Sequence, residues 1–412
     1  MDESAASTLG TSPRLTFERI TCATAPVTLR LSRYNAPGGV DELHLMAEPK
    51  EYAPVNVQLD WLAHGYREAL AAVGTDEGSA VFRRLFCSDP VNQAAALRSC
   101  ALAQTSSSSS SNASNTSSAV SIVGQPPVGC AKVALWAMHL CAPATPLDKH
   151  LDGDTLSLRR GELTHHWTSG YIAPDAAGSH DQTRSILNNY VDWLSDANMN
   201  LADHVLRTWF FVRDIDVNYR GLVDARRVHF ADHGLIDKTH YIASSGIAGE
   251  VVDNRALVSM DAYAIAGVQP RQICYLKARD HLSSTHIYGV TFERATAIDY
   301  RDRRHILLSG TASIDRSGKV VHPGDVYRQL HRTMENIAAL LDEGGAGVQD
   351  VNHWIVYLRD TSDAPLITQA MRERISDAPM IVLTAPVCRS GWMVEIEGMA
   401  TVGRDNAELP AF

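Results

Sequence analysis

Hydrophobic and polar positions repeat along this chain in one order, three times over. Each copy runs through an amphipathic helix, an apolar strand ending in Asp, a second helical stretch and a further apolar strand. The helices are marked by apolar residues at helical spacing. These are Leu62, Tyr66, Leu70 and Val73, then Ile186, Tyr190, Trp193 and Leu194, then Leu330, Met334, Ile337 and Leu341. The Asp-terminated strands are AVFRRLFCSD (80–89), VLRTWFFVRD (205–214) and VNHWIVYLRD (351–360). Upstream of the first and third helices lie strand pairs, VTLRLSRY with ELHLMAE, and TFERATAIDY with HILLSGTASI. LSLRRGELTHHWTSGYIA opens the second copy.

Each copy thus reads β-β-α-β-α-β, an α+β layer with helices on one face of a sheet. A unit of roughly a hundred residues repeated in this way predicts modules arranged about a pseudo-threefold axis, with sheets inward around a barrel-like core and pockets between modules. The expected bounds are 13–145, 150–268 and 285–404. The first module is interrupted by TSSSSSSNASNTSS (105–118), which has too little apolar surface to offset its chain entropy and reads as a disordered loop. One chain can satisfy the threefold arrangement as a monomer, and a homo-oligomer is the other expectation.

Composition narrows the function. Hydrophobic residues at 45% and charged residues at 20% are those of a soluble globular protein. A net charge of −10 argues against a nucleic-acid partner. No apolar run reaches membrane-spanning length, and the N-terminus resembles no signal sequence. Seven scattered cysteines without CxxC pairing fit a reducing compartment, so a cytoplasmic location is expected. The seventeen histidines include no HExxH, and adjacent His165 and His166 lie on a strand that points them to opposite faces, so no metal or cofactor is expected.

With pockets between modules, chemistry belongs where the copies differ. The final strands superpose as KVALWAMH, LVSMDAYA and MVEIEGMA. Alternation puts Met393, Glu395 and Glu397 on one face, and Val394 and Ile396 on the other. Glu395 has Ala134 and Ser259 at its place in the other copies, while Glu397 has Trp136 and Asp261. Glu395 is therefore the carboxylate unique to one copy, and Glu397 reads as an ion-pairing group at a seam. Upstream, TAPVCRSGW carries Cys388, a pocket residue or a small buried filler, and Arg389, a fork suited to a substrate carboxylate or to a surface acid. IYGVTFERAT carries Tyr288 and Arg294. The small residues Gly310, Thr311 and Ala312 permit close approach of backbone to a ligand.

The repeated architecture resembles the Rid (YjgF-like) superfamily, with its chorismate-mutase-like fold. YGVTFER, SGTASI, the GDV helix start at 324–326 and APVCRSGWMVEIEG together resemble the chorismatase family, a fused-repeat branch of it. The resemblance implies hydrolysis of chorismate, a dianionic small molecule, to pyruvate plus a hydroxybenzoate or dihydroxycyclohexadiene carboxylate. It implies Glu395 as the catalytic acid, Tyr288 and Arg294 as substrate-binding residues, and Cys388 as a pocket residue that varies between subfamilies. Arg389 and Gly310 to Ala312 join the pocket on the residue reading alone. Two other readings stand beside this one. A Rid-type enamine or imine deaminase would need an arginine near Met380, and a non-catalytic ligand-binding protein would bind chorismate without releasing pyruvate.

Overall fold

The computed structural model describes residues 15–36, 39–104, 117–142 and 147–412; the serine-rich insertion falls almost wholly on 105–116, outside the described residues. The first sheet is built from β1 (Leu15–Thr21), β2 (Val27–Tyr34), β3 (Asp41–Pro49), β4 (Ala80–Cys87), β5 (Ala119–Gly124) and β6 (Val133–Cys141), with helices α1 (Val55–Ala72) and α2 (Ala94–Ser99). The second comprises β7 (Asp148–Asp152), β8 (Thr155–Arg160), β9 (Leu163–Ile172), β10 (Val205–Val212), β11 (Ala243–Ala248) and β12 (Val258–Ala266). Its helices are α3 (Gly178–Asp196), α4 (Leu201–His204) and α5 (Ile215–Asp232). The third comprises β13 (Ile273–Leu276), β14 (Ala295–Asp299), β15 (Arg303–Ala312), β16 (Val351–Leu358), β17 (Met380–Thr384) and β18 (Val394–Gly403), with α6 (Val326–Glu343) and α7 (Ala364–Ile375).

The three sheets share one strand order, β1-β2-β3-β6-β4-β5, β7-β8-β9-β12-β10-β11 and β13-β14-β15-β18-β16-β17. Only β4/β5, β10/β11 and β16/β17 are parallel, and each is joined by a crossover containing α2, α5 or α7. Every sheet has two strands beyond the β-β-α-β-α-β pattern. One is a leading edge strand, and the other is the parallel strand after the second helix. The strand expected over TFERATAIDY begins at Ala295, because the preceding backbone is claimed by the second sheet. Glu293 N donates to Ile242 O at 3.0 Å, and Tyr241 N donates to Glu293 Oε1 at 3.0 Å.

Alternation along the strands explains how the layers stack. On β6, Val133, Leu135 and Ala137 pack beneath α1 with Leu59, Leu62, Tyr66 and Leu70. The intervening Ala134, Trp136 and Met138 enter a shared central cluster with Trp167, Tyr263, Leu307 and Met399 from the other sheets. Burying both faces of such a strand makes its sequence almost continuously apolar.

Each seam between sheets carries a buried ion pair. Arg84 meets Asp261 at 2.7 Å, Arg207 meets Glu397 at 2.7 Å, and Arg303 meets Glu42 at 3.4 Å, with His305 also on Glu42 at 2.8 Å. Removing one partner of such a pair strands the other and costs about 3–5 kcal/mol. Glu397 is thus the seam group that its position predicts. Among the described residues, no helix is long and apolar enough to cross a membrane.

Candidate active site

The last strand of the third sheet carries two carboxylates on one face. Glu395 stands opposite Ala312 of β15 and Tyr357 of β16, and Glu397 stands opposite Ile355. Between Leu308 and Thr311 the β15/β18 register slips. Gly310 sits in that irregularity, its N–H donating to Ser245 Oγ on β11 at 2.8 Å. A Cβ at this position would fall on Glu395 Oε1, with the carboxyl carbon at 2.9 Å and Ser245 Oγ at 3.2 Å. The missing side chain is therefore the space that the Glu395 carboxyl occupies.

Around this carboxyl lies a pocket at the seam between the second and third sheets. The second sheet contributes Tyr219 and Arg226 from α5, with Ser244 and Gly246 from β11. The third contributes Phe292, Arg294, Gly310, Ala312, Cys388, Arg389, Trp392 and Glu395. Arg226 donates to Thr291 Oγ1 at 3.2 Å and to Ser244 Oγ at 3.3 Å. Arg294 donates to Ser283 O at 3.2 Å, with its guanidinium 5.1 Å from the Phe292 ring centre. Arg389 lies 5.4 Å from the Trp392 ring centre. Three arginines and one acid in a partly apolar cleft suit a small multivalent anion.

The electrostatics separate the acid from its neighbours. Glu395 is 5% exposed, and among the described residues no side chain hydrogen-bonds its carboxyl. Burial pushes its pKa up to about 8, the Glu397 charge adds to this, and Arg294 and Arg207 oppose it. A carboxyl so placed holds its proton at neutral pH. Burial, then the Glu395 charge, pushes the Cys388 thiol up to about 12, so Cys388 is a thiol and not a thiolate nucleophile. Burial likewise raises the Tyr219 hydroxyl well above its ordinary range.

The structure brings Glu395, Arg294, Gly310, Ala312, Cys388 and Arg389 to this one pocket. Thr311 is not among its lining residues. Strand alternation turns it away from Gly310 and Ala312, and its buried hydroxyl donates to Ser309 O at 3.0 Å. Tyr288 ends a 3₁₀ turn (Thr285–Tyr288), and its side chain lies outside the described residues. Sequence reasoning missed the second-sheet wall. One signal was available, since Arg226 interrupts the buried stripe of α5 formed by Leu222, Ala225, His229 and Phe230. A cation in an apolar stripe requires a partner or a pocket.

Comparison with known proteins places this architecture. The family described as Endoribonuclease L-PSP matches residues 295–402. A 3-hydroxybenzoate synthase of Streptomyces hygroscopicus is 34% identical over 122 residues, 26% of this chain and 36% of that protein. A chorismatase of the same species is 27% identical over 209 residues, 47% of this chain and 60% of that protein. The chain therefore spans between about a third and three fifths of these relatives' lengths. A RutC family protein of Pyrococcus abyssi is 30% identical over 97 residues, 23% of this chain and 76% of that protein. Among solved structures, a chorismatase superposes with a TM-score of 0.59 at 18% identity, covering 78% of this chain and 93% of the other, which establishes a shared fold.

Proposed function

This chain is a chorismatase-type member of the Rid superfamily, and from that premise we propose that it cleaves the enolpyruvyl ether of chorismate, with Glu395 as the general acid. The observation that carries the reading is the buried Glu395 carboxyl at a seam lined by Arg226, Arg294 and Arg389, a setting in which burial raises its proton affinity.

Chorismate carries two carboxylates and a vinyl ether whose methylene carbon is the basic end of the double bond. Protonation of that carbon converts the ether carbon into an oxocarbenium-like centre. The carboxylic acid needed for the step is a Glu with its proton affinity raised by burial. Water or a ring hydroxyl then adds to the cation, the ether C–O bond breaks, and pyruvate leaves. Release of a dihydroxycyclohexadiene carboxylate consumes one water, whereas release of a hydroxybenzoate consumes none overall. In either case Glu395 ends the first step as a carboxylate and recovers its proton before the next turnover. Arg294 and Arg389 are suited to the two substrate carboxylates, and Arg226 extends the cationic wall from the second sheet.

The direct test mixes purified protein with chorismate, follows pyruvate by a coupled lactate dehydrogenase assay, and identifies the ring acid by mass. Absence of pyruvate, with chorismate bound, would leave a binding protein. A deaminase reading lacks its arginine, since Met380 opens β17.

Two further expectations belong to this reading. Arg294→Ala leaves one substrate carboxylate unpaired and raises KM by about 10- to 100-fold, with a smaller change in kcat. An unchanged KM in steady-state assays would remove Arg294 from substrate binding. The pH profile of kcat/KM has its basic limb near pH 8, where Glu395 of the free protein loses its proton. Above that limb the rate falls about tenfold per pH unit. A rate that keeps rising beyond pH 9 would show that the working form is not the protonated acid.

A further inference from the structure

Glu397 stands two residues beyond Glu395 on the same face of β18 and has no part in the chemistry proposed above. Its oxygens are fully engaged. Oε2 accepts from Arg207 Nη2 at 2.7 Å and from Ser245 Oγ, while Oε1 accepts from Trp209 Nε1 at 3.0 Å and Tyr357 OH at 2.9 Å. The direction of the serine bond follows from its other partners. Ser245 Oγ receives the Arg207 Nη2 proton at 2.7 Å and the Gly310 N–H at 2.8 Å, so its single hydrogen is left for Glu397. Arginine and indole N–H groups donate only. The shell is therefore built for an anion, and Ser245 links that anion to the backbone amide of Gly310, the residue that makes room for the Glu395 carboxyl.

We propose that Glu397 is a positioning residue of the active site, a fixed anion acting on Glu395 by its charge along the strand and by the Ser245 bridge to the Gly310 amide. The inference deepens the general-acid reading and rests on it. Among the described residues, charged and titratable groups face the pair from several elements, with Arg84 of β4 reaching Arg207 and Tyr357. Arg294 precedes β14, Arg207 lies on β10, Tyr219 and Arg226 on α5, and Cys388 and Arg389 between β17 and β18. Beyond Glu397 lie Tyr357 and, in the central cavity, His305 and His353. Removing the Glu397 charge while Arg207 stays in place takes away a repulsion and leaves an attraction, making an ionised Glu395 easier to form.

The experiment titrates the Glu395 carboxyl by infrared difference spectroscopy, wild type minus E395Q, alongside the pH profiles of kcat/KM and kcat. In E397Q the carboxyl midpoint and the basic limb of kcat/KM both move down by about one pH unit or more. An unmoved midpoint overturns the charge coupling. S245A keeps both charges, so the midpoint holds while kcat falls about tenfold through lost positioning; unchanged kcat overturns the bridge. Should E397Q not fold, the double variant R207Q/E397Q replaces the buried pair with neutral groups, and the midpoint still moves down, by less. No movement there is again decisive against the proposal. Because the titration needs no turnover, the two readings fail separately. A moved midpoint without pyruvate formation sinks only the chorismate reading, and turnover with an unmoved midpoint sinks only this one.

Discussion

Glu395→Gln is expected to lower pyruvate release from chorismate by about 10²- to 10⁴-fold, the range of a positioned general acid, while the chain stays folded and binds its substrate. Glutamine matches glutamate in shape and keeps the strand register opposite Ala312 and Tyr357, but it has no acidic proton to give to carbon. Isothermal titration with chorismate should show binding within a few-fold of wild type, because the arginine wall is untouched. Near-normal turnover would refute the assignment. The same variant has a stability signature. The Glu395 value in the native chain is about 8 against an ordinary 4.5. Between those values the native state keeps a proton that the unfolded chain has released, so rising pH removes stability there. The slope is at most about 1.4 kcal/mol per pH unit. E395Q has nothing to titrate at this position and should gain on wild type across that window in denaturant melts. Parallel stability curves from pH 5 to 8 would contradict the burial of an ionisable acid.

Gly310→Ala is expected to be nearly as damaging without touching any ionisable group. The added methyl competes with the end of the Glu395 side chain and with Ser245 Oγ, and neither is rigid backbone. The acid is therefore the part that moves, and the sheet persists. Displacing a catalytic group by about an ångström costs on the order of 10²-fold, so kcat should fall by about that factor with the melting temperature lowered by only a few degrees. A variant that melts normally and turns over normally would mean that Glu395 does not work from the position it occupies here.

The repeat, the α+β layering and the alternation on β18 were legible because each is a local periodic signal. Val394 and Ile396 are fully buried in the apolar cluster, opposite in facing to the two carboxylates. What escaped was non-local. The edge strand β13 spans only Ile273–Leu276, too short to show a period, and the strands β5, β11 and β17 are specified by a parallel crossover with no turn signature of its own. Thr311 illustrates a different limit. A run of small residues marks a close approach but does not say which of its members faces it, and a register slip decides that. The second-sheet wall of the pocket comes from residues 149 to 176 positions before Glu395 in the chain, where only the seam makes them neighbours.

The three seams share a buried arginine–carboxylate pair but differ in the residues around it, although the sheets they join are alike. In an assembly of identical subunits any substitution would be imposed on all three at once. Fusion removes that constraint. Arg84–Asp261 and Glu42 with Arg303 and His305 can serve cohesion alone, leaving the Arg207–Glu397 seam to diverge around an acid its sisters lack. One equivalent of ligand per polypeptide, rather than three, is the stoichiometry expected of such a division of labour.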